Sequence, residues 1–346
     1  MKYVLIEMEK LKNPNSGLGQ FCLHLGKQFH LQGSPNLQLE YYLPPSQQNI
    51  FGKNTISVRQ SAIHKFLPIN STKYNVWHCL HQNSSYLPSS PDTKLILTIH
   101  DLNFLEKYKG LKRALKLGKL QKKVDRANAI TVISHFTETM VRENLDLGDK
   151  PVIVIPNGNA LESVENAKMP DFIKFENFIF TIGIISKKKN FHSLLPLLQH
   201  DPNLHLVVAG NHESIYAKEL IQAAKKHKVN DQLHLPGTIN GEEKYWLYQH
   251  CKAFVFPSLT EGFGLPVVEA MSLGKPVFLS NLTSLPEVGG PEAHYWSDFE
   301  PGSMVNVFEK GLREFSSERA SRSIAWAKQF SWESAAKSYL KIYAEI

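Results

Sequence analysis

Short apolar runs separated by polar, turn-rich segments recur along the chain. They fall at residues 3–8, 74–79, 94–99, 129–133 and 152–155, and again at 178–183, 205–210, 232–235, 253–256 and 276–279. Each has the length and the bounding residues of a strand. Between them, residues 21–31, 214–227 and 242–250 repeat their apolar positions at helical spacing. Strands alternating with helices predict a mostly parallel sheet, and the series occurs twice. Residues 159–174 are polar, contain Pro170 and lack strong periodicity, as a linker does. The reading is therefore an α/β domain over 1–160, a second over 161–330, and a closing helix over 331–346 with Ser331 as its cap. A chain of 346 residues suits two such cores better than one.

The most informative stretch is Ser258-Leu259-Thr260-Glu261-Gly262-Phe263-Gly264-Leu265-Pro266-Val267-Val268-Glu269. It follows the apolar run Ala253-Phe254-Val255-Phe256, and Pro266 fits the first turn of a helix. Gly262 and Gly264 let backbone approach a ligand, and a helix start offers unpaired N–H groups and partial positive charge. Glu261 and Glu269 can accept hydrogen bonds from paired hydroxyls. A ligand with both phosphate and sugar meets both demands. Ile184-Ile185-Ser186-Lys187-Lys188-Lys189-Asn190 also follows a strand, where cations can neutralise a diphosphate leaving group. His100-Asp101-Leu102 follows the strand at 94–99, and ligands of open α/β sheets bind beyond the carboxyl ends of strands. Gly17-Leu18-Gly19 opens a helix in the first half, but Cys22 stands where the third glycine of a dinucleotide fingerprint belongs.

Charge changes the picture modestly. A formal net charge of +7 favours an anionic partner, for which phosphate-bearing substrates, an anionic membrane and nucleic acid all qualify. Residues 107–126, from Lys107 to Arg126, carry nine Lys or Arg with Leu117, Leu120 and Val124 at helical spacing. That is a solvated helix face or a basic amphipathic helix for anionic lipid or a phosphorylated acceptor. The start of the chain lacks a signal-like apolar run, and no 18 apolar residues follow one another, so the expectation is a cytoplasmic protein, with peripheral contact on the inner face of the plasma membrane as an option. Cys22, Cys79 and Cys251 are widely spaced and read as reduced structural thiols.

Glu-Gly-Phe-Gly-Leu-Pro-Val-Val-Glu-Ala-Met closely resembles the E-x7-E signature of the retaining, nucleotide-sugar-dependent glycosyltransferase family 4. The resemblance implies the GT-B fold, two Rossmann-like α/β domains facing each other across a cleft that holds the active site, with the last helix returning to the first domain. It implies Glu261 on the donor sugar, Glu269 on the ribose and His100 beside the transferred sugar. It places Lys189 and Lys188 on the diphosphate, with Ile184 standing where part of the family has a further Arg. It also implies donor contacts from Gly17, Gly19, Gly237, Thr238, Ile239, Gly262, Phe263, Gly264 and Leu265, with Thr283-Ser284-Leu285-Pro286 close by. The His-Asp-Leu and basic-Lys-Asn elements are similar to a mannosyltransferase-rich branch of bacterial lipopolysaccharide and surface polysaccharide biosynthesis. That implies transfer to a glycan or lipid-linked acceptor, with GDP-mannose favoured over a UDP-sugar.

No Asp-x-Asp pair occurs, so neither a metal nor another cofactor is expected. A GT-B epimerase or phosphorylase would use a similar cleft. A basic nucleic-acid-binding protein would account for the charge but not for paired Glu residues around a glycine turn, and no nucleic-acid partner is expected.

Overall fold

Two separate sheets organise the chain in the computed structural model, which describes residues 1–346 except Asn54. Unit 1 comprises Met1–Gly158 with Phe330–Ile346, and unit 2 comprises Asn159–Gln329.

Unit 1 holds β1 (Lys2–Glu7), β2 (Leu37–Leu43), β3 (Ser57–Arg59), β4 (Val76–Cys79), β5 (Lys94–Ile99), β6 (Ala129–Val132) and β7 (Val152–Val154). They form one parallel sheet in the order β3-β2-β1-β4-β5-β6-β7. Parallel neighbours need long crossovers, and helices on both faces make the central strands apolar throughout. β4 shows the exception that proves informative: His78 lies within it fully buried. Its Nδ1 meets the Tyr343 hydroxyl at 2.6 Å and its Nε2 meets Thr98 Oγ1 at 2.7 Å, while burial pushes its pKa down to about 3. A neutral, doubly bonded histidine is therefore part of the core.

Tyr343 belongs to the last helix, Trp332–Glu345, which Ser331 caps through the Ser334 N–H. That helix packs on the first, Gly17–Gln32, through Phe21 against Trp332 and Phe29 against Tyr343. Gly158 is required here: a Cβ would come within 2.1 Å of the Trp332 backbone nitrogen.

Unit 2 holds β8 (Phe178–Ile182), β9 (His205–Ala209), β10 (Leu233–Gly237), β11 (Ala253–Phe256), β12 (Val277–Ser280) and β13 (His294–Trp296). Its parallel order is β10-β9-β8-β11-β12-β13. The pattern of apolar runs missed β2, β3 and β13. All three cysteines are buried and unbridged.

Candidate active site

The residues singled out in unit 2 converge beyond the carboxyl ends of its strands. After β11 the chain turns through Pro257 to Gly264 and enters the helix Leu265–Ser272. Gly264 sits at φ +114°, where a side chain is strained, and Pro266 occupies the first turn. Hydroxyls from the segment after β12 pin this turn. Thr283 Oγ1 accepts from the Glu261 N–H at 3.1 Å, and Ser284 Oγ donates to the carbonyls of Glu261 and Phe263 at 3.1 and 3.0 Å.

Glu261 carries the electrostatics of the turn. Lys189 Nζ donates to its Oε1 at 2.5 Å, and Ser258 Oγ donates to the same oxygen at 2.5 Å. Burial alone would raise the pKa of Glu261; the cations of Lys189 and Lys188 outweigh it and hold the carboxyl below its ordinary range. Burial pulls the Lys189 ammonium down, and the Glu261 carboxylate counters that. The charge pattern by itself does not distinguish the three lysines, which the resemblance ranks, and the structure separates them by burial. Lys187 and Lys188 are exposed, whereas Lys189 is buried with its ammonium 4.4 Å from the centre of the Phe256 ring. Gly183, at φ +150°, leaves room for the lysine stem: a Cβ there would stand 3.2 Å from Lys189 Cε.

The chain at the end of β8 and just beyond it also carries polar atoms without partners among the described residues. Asn190 follows Lys189 in the left-handed region at φ +56°, and its Nδ2 is unpaired; so are Ser186 Oγ and Thr181 Oγ1. Buried groups of this kind are normally satisfied, so donors and acceptors gathered at one strand end mark a place for a polar ligand.

Glu269 is buried one turn into the helix, its Oε1 accepting from Lys244 Nζ at 2.9 Å and its Oε2 from the Tyr248 hydroxyl at 2.8 Å. Each oxygen keeps lone-pair capacity for a hydroxyl. Lys244 and Tyr248 escaped the sequence reading. Their spacing of four along Gly241–His250, which puts both on one face, was the available signal. Gly237 closes β10 at φ +84° with its carbonyl accepting from Gly210, and Thr238 and Ile239 follow it.

Unit 1, taken by itself, holds His100 and the glycine turn. His100 is buried at the end of β5 with Phe21 edge-on at 4.6 Å. Its Nε2 lies 2.8 Å from the Leu80 carbonyl, which can only accept, so the proton sits on Nε2 and Nδ1 is left as an acceptor. Burial lowers its pKa to about 4. At neutral pH it can take a hydroxyl proton in a hydrogen bond but has no proton to give from Nδ1. Ser16 caps the first helix through the Gly19 N–H at 3.1 Å. Gly19 is explained by its own turn, because a Cβ would lie 2.0 Å from the Asn13 carbonyl oxygen; Gly17 faces open space.

The basic segment of residues 107–126 forms the helix Gly110–Arg126, preceded by a short helix that ends at Lys107, and its cations divide. Lys123 Nζ donates to the carbonyls of Gln82 and Ser84, and Arg126 to those of Ser90 and Thr93, so these two brace the fold. Leu120 and Val124 are buried, while Leu111 and Leu115 stand exposed among the remaining lysines. Among the described residues no helix is long and apolar enough to cross a membrane.

Comparison with known proteins bears on this arrangement. The profile of the family described as glycosyl transferases group 1 matches residues 164–322. The serotype-specific mannosyltransferase WbdA of Escherichia coli is 31% identical over 272 residues, covering 70% of this chain; the chain spans only 32% of WbdA's length. The O-antigen chain mannosyltransferase B of Escherichia coli is 24% identical, covering 98% of this chain and 99% of that protein. Among solved structures, Anabaena HepE in complex with UDP-glucose superposes with a TM-score of 0.79 at 14% identity, covering 100% of both chains, which speaks to fold alone. With two parallel α/β units and the Glu261 to Glu269 turn inside the matched region, the chain belongs to the group 1 glycosyltransferases and has the GT-B fold.

Proposed function

We propose that the chain is a retaining glycosyltransferase that moves a sugar from a nucleoside diphosphate donor to a glycan or lipid-linked acceptor in surface polysaccharide assembly. The observation that carries this reading is the buried Lys189–Glu261 pair at the strand ends of unit 2, with unpaired polar groups of Thr181, Ser186 and Asn190 in the same chain segment. An ammonium held by a carboxylate is positioned to turn toward a diphosphate, and that carboxylate is then available for sugar hydroxyls. Glu269, already oriented by Lys244 and Tyr248, takes the ribose hydroxyls. Lys188 and the start of the helix Leu265–Ser272 add positive charge, so fixed protein groups stabilise the leaving diphosphate without a divalent ion. The departing phosphate takes the acceptor proton on the face it leaves, and configuration is retained. His100, neutral and accepting through Nδ1, positions the sugar.

Mannose as the transferred sugar is supported by the two mannosyltransferases to which the chain is similar, which favours GDP-mannose, with a UDP-sugar next. The exposed lysines beside Leu111 and Leu115 support contact with anionic lipid. A thermal-shift series with GDP, UDP and ADP tests the donor. A nucleotide at 100 times its Kd stabilises by about 2.7 kcal/mol, and no shift with any of the three would overturn the reading. Consumption of nucleotide-sugar without an acceptor alcohol would instead favour an epimerase.

A further inference from the structure

Unit 1 contains a cavity of about 630 Å³ lined by Lys12, Pro45, Arg59, Gln60, His64 and Tyr86, none of which belongs to the site described above. Its walls come from chain just beyond the carboxyl ends of β1, β2, β3 and β4. In the order β3-β2-β1-β4-β5, crossovers reverse direction between β1 and β4, and open α/β sheets bind ligands at such a switch point.

The lining has unmet hydrogen-bonding capacity. Gln60 is 2% exposed, and its Nε2 donates to Glu7 Oε1 at 3.0 Å and to the Tyr42 carbonyl at 2.8 Å. Two acceptors on the nitrogen fix the orientation of the amide. Gln60 Oε1 is then a buried acceptor with no partner among the described residues. His64 Nδ1 lies 2.5 Å from the Tyr42 hydroxyl and 3.3 Å from the Ser61 N–H, which must donate, so the ring proton sits on Nε2. The cavity thus offers both an acceptor and a donor. It is also short of negative charge. Lys12 and Lys65 share the single Glu9 Oε1 at 3.3 and 2.8 Å, while Arg59 is exposed with no ion-pair partner among the described residues.

We propose that this cavity binds an anionic saccharide, with Arg59 and Lys12 on a phosphate or carboxylate, and Gln60 Oε1 and His64 Nε2 on sugar hydroxyls. A planar guanidinium suits such an anion. Identifying this ligand as part of the acceptor rests on the sugar-transfer reading; its binding does not.

Calorimetric titration of the whole chain with mannose 6-phosphate, mannose and inorganic phosphate tests it, beside separate titrations with GDP and UDP. The expected result is saturable binding of the sugar phosphate with Kd at or below about 1 mM, at least tenfold tighter than mannose or phosphate alone. Arg59→Ala should weaken it about tenfold and Lys12→Ala severalfold. Both side chains are at the surface, so the fold and nucleotide affinity should persist, and excess GDP or UDP should not displace the ligand. Equal affinity for phosphate alone, no saturable binding, or binding insensitive to Arg59→Ala would overturn the proposal. Nucleotide binding without sugar phosphate binding would overturn this site and leave the donor reading standing; the reverse pattern would sustain this site and remove that reading.

Discussion

Replacing Lys189 by Met removes the cation around which Glu261 is folded. The two side chains are only 11% and 13% exposed, and their charged atoms are 2.5 Å apart. Breaking such a pair from one side strands a buried carboxylate. Ser258 Oγ remains as its partner and Lys188 offers distant compensation, so the cost should fall near the low end for buried pairs, about 3 kcal/mol. For a unit of this size that lowers the melting midpoint by roughly 6–12 °C. The double variant Lys189→Met with Glu261→Gln removes both charges and nearly conserves volume, and its midpoint should return to within a few degrees of wild type. Sugar transfer should behave differently. Each single variant and the double variant should lose a factor of about 10² or more in turnover, because the groups meant for the diphosphate and the sugar are absent from all three. Differential scanning fluorimetry gives the first quantity and nucleotide release the second. If Lys189→Met were as stable as wild type, or if the double variant recovered turnover along with stability, the pair would not have the role assigned to it.

Other consequences can be measured separately. Glu7 is buried, and burial raises its pKa from 4.5 to about 7, so wild-type stability should fall as pH rises from 4.5 to 7 and then level off. Glu7→Gln should therefore stabilise by up to about 3 kcal/mol at pH 8 and by nothing below pH 4.5; a gain independent of pH in urea titrations would contradict this. Lys244→Met should raise the KM for the donor more than it lowers kcat, since it orients Glu269 toward ribose hydroxyls whose contacts change little in the transition state; a pure kcat effect would refute that role. Gly158→Ala should cost several kcal/mol, detected as lost protection of the helix Trp332–Glu345 in hydrogen exchange, because a Cβ would meet the Trp332 backbone.

Much of the fold was legible because both sheets are parallel. Strands such as Ala253–Phe256, buried on both faces, announce themselves as unbroken apolar runs. The turn from Glu261 into its helix was legible for a local reason, since glycine, proline and the preceding strand specify it without distant partners. β2 was missed because Glu40 interrupts it. That carboxylate is buried yet held by Lys73 and by the Tyr74 hydroxyl, partners more than 30 residues away whose contact no local pattern reveals. β3 and β13 are three residues long and carry too little pattern to read. The resemblance singled out Lys189, but its burial was unreadable in the same way as that of Glu40: a run of three lysines looks solvated until Gly183, Phe256 and Glu261 are seen to enclose one of them. The unit 1 cavity left no trace in the sequence, because Lys12, Pro45, Gln60 and Tyr86 follow four different strands and meet only when the sheet is assembled.

The most direct test of the central claim mixes the purified chain with GDP-mannose or a UDP-sugar and a lipid-linked glycan in excess EDTA, and follows nucleoside diphosphate release and the anomeric configuration of the product by NMR. The account predicts that one donor releases its diphosphate only when acceptor is present, that the new linkage keeps the donor's anomeric configuration, and that chelator does not matter. Release abolished by EDTA and restored by manganese, an inverted linkage, or no release from any nucleotide-sugar would contradict it.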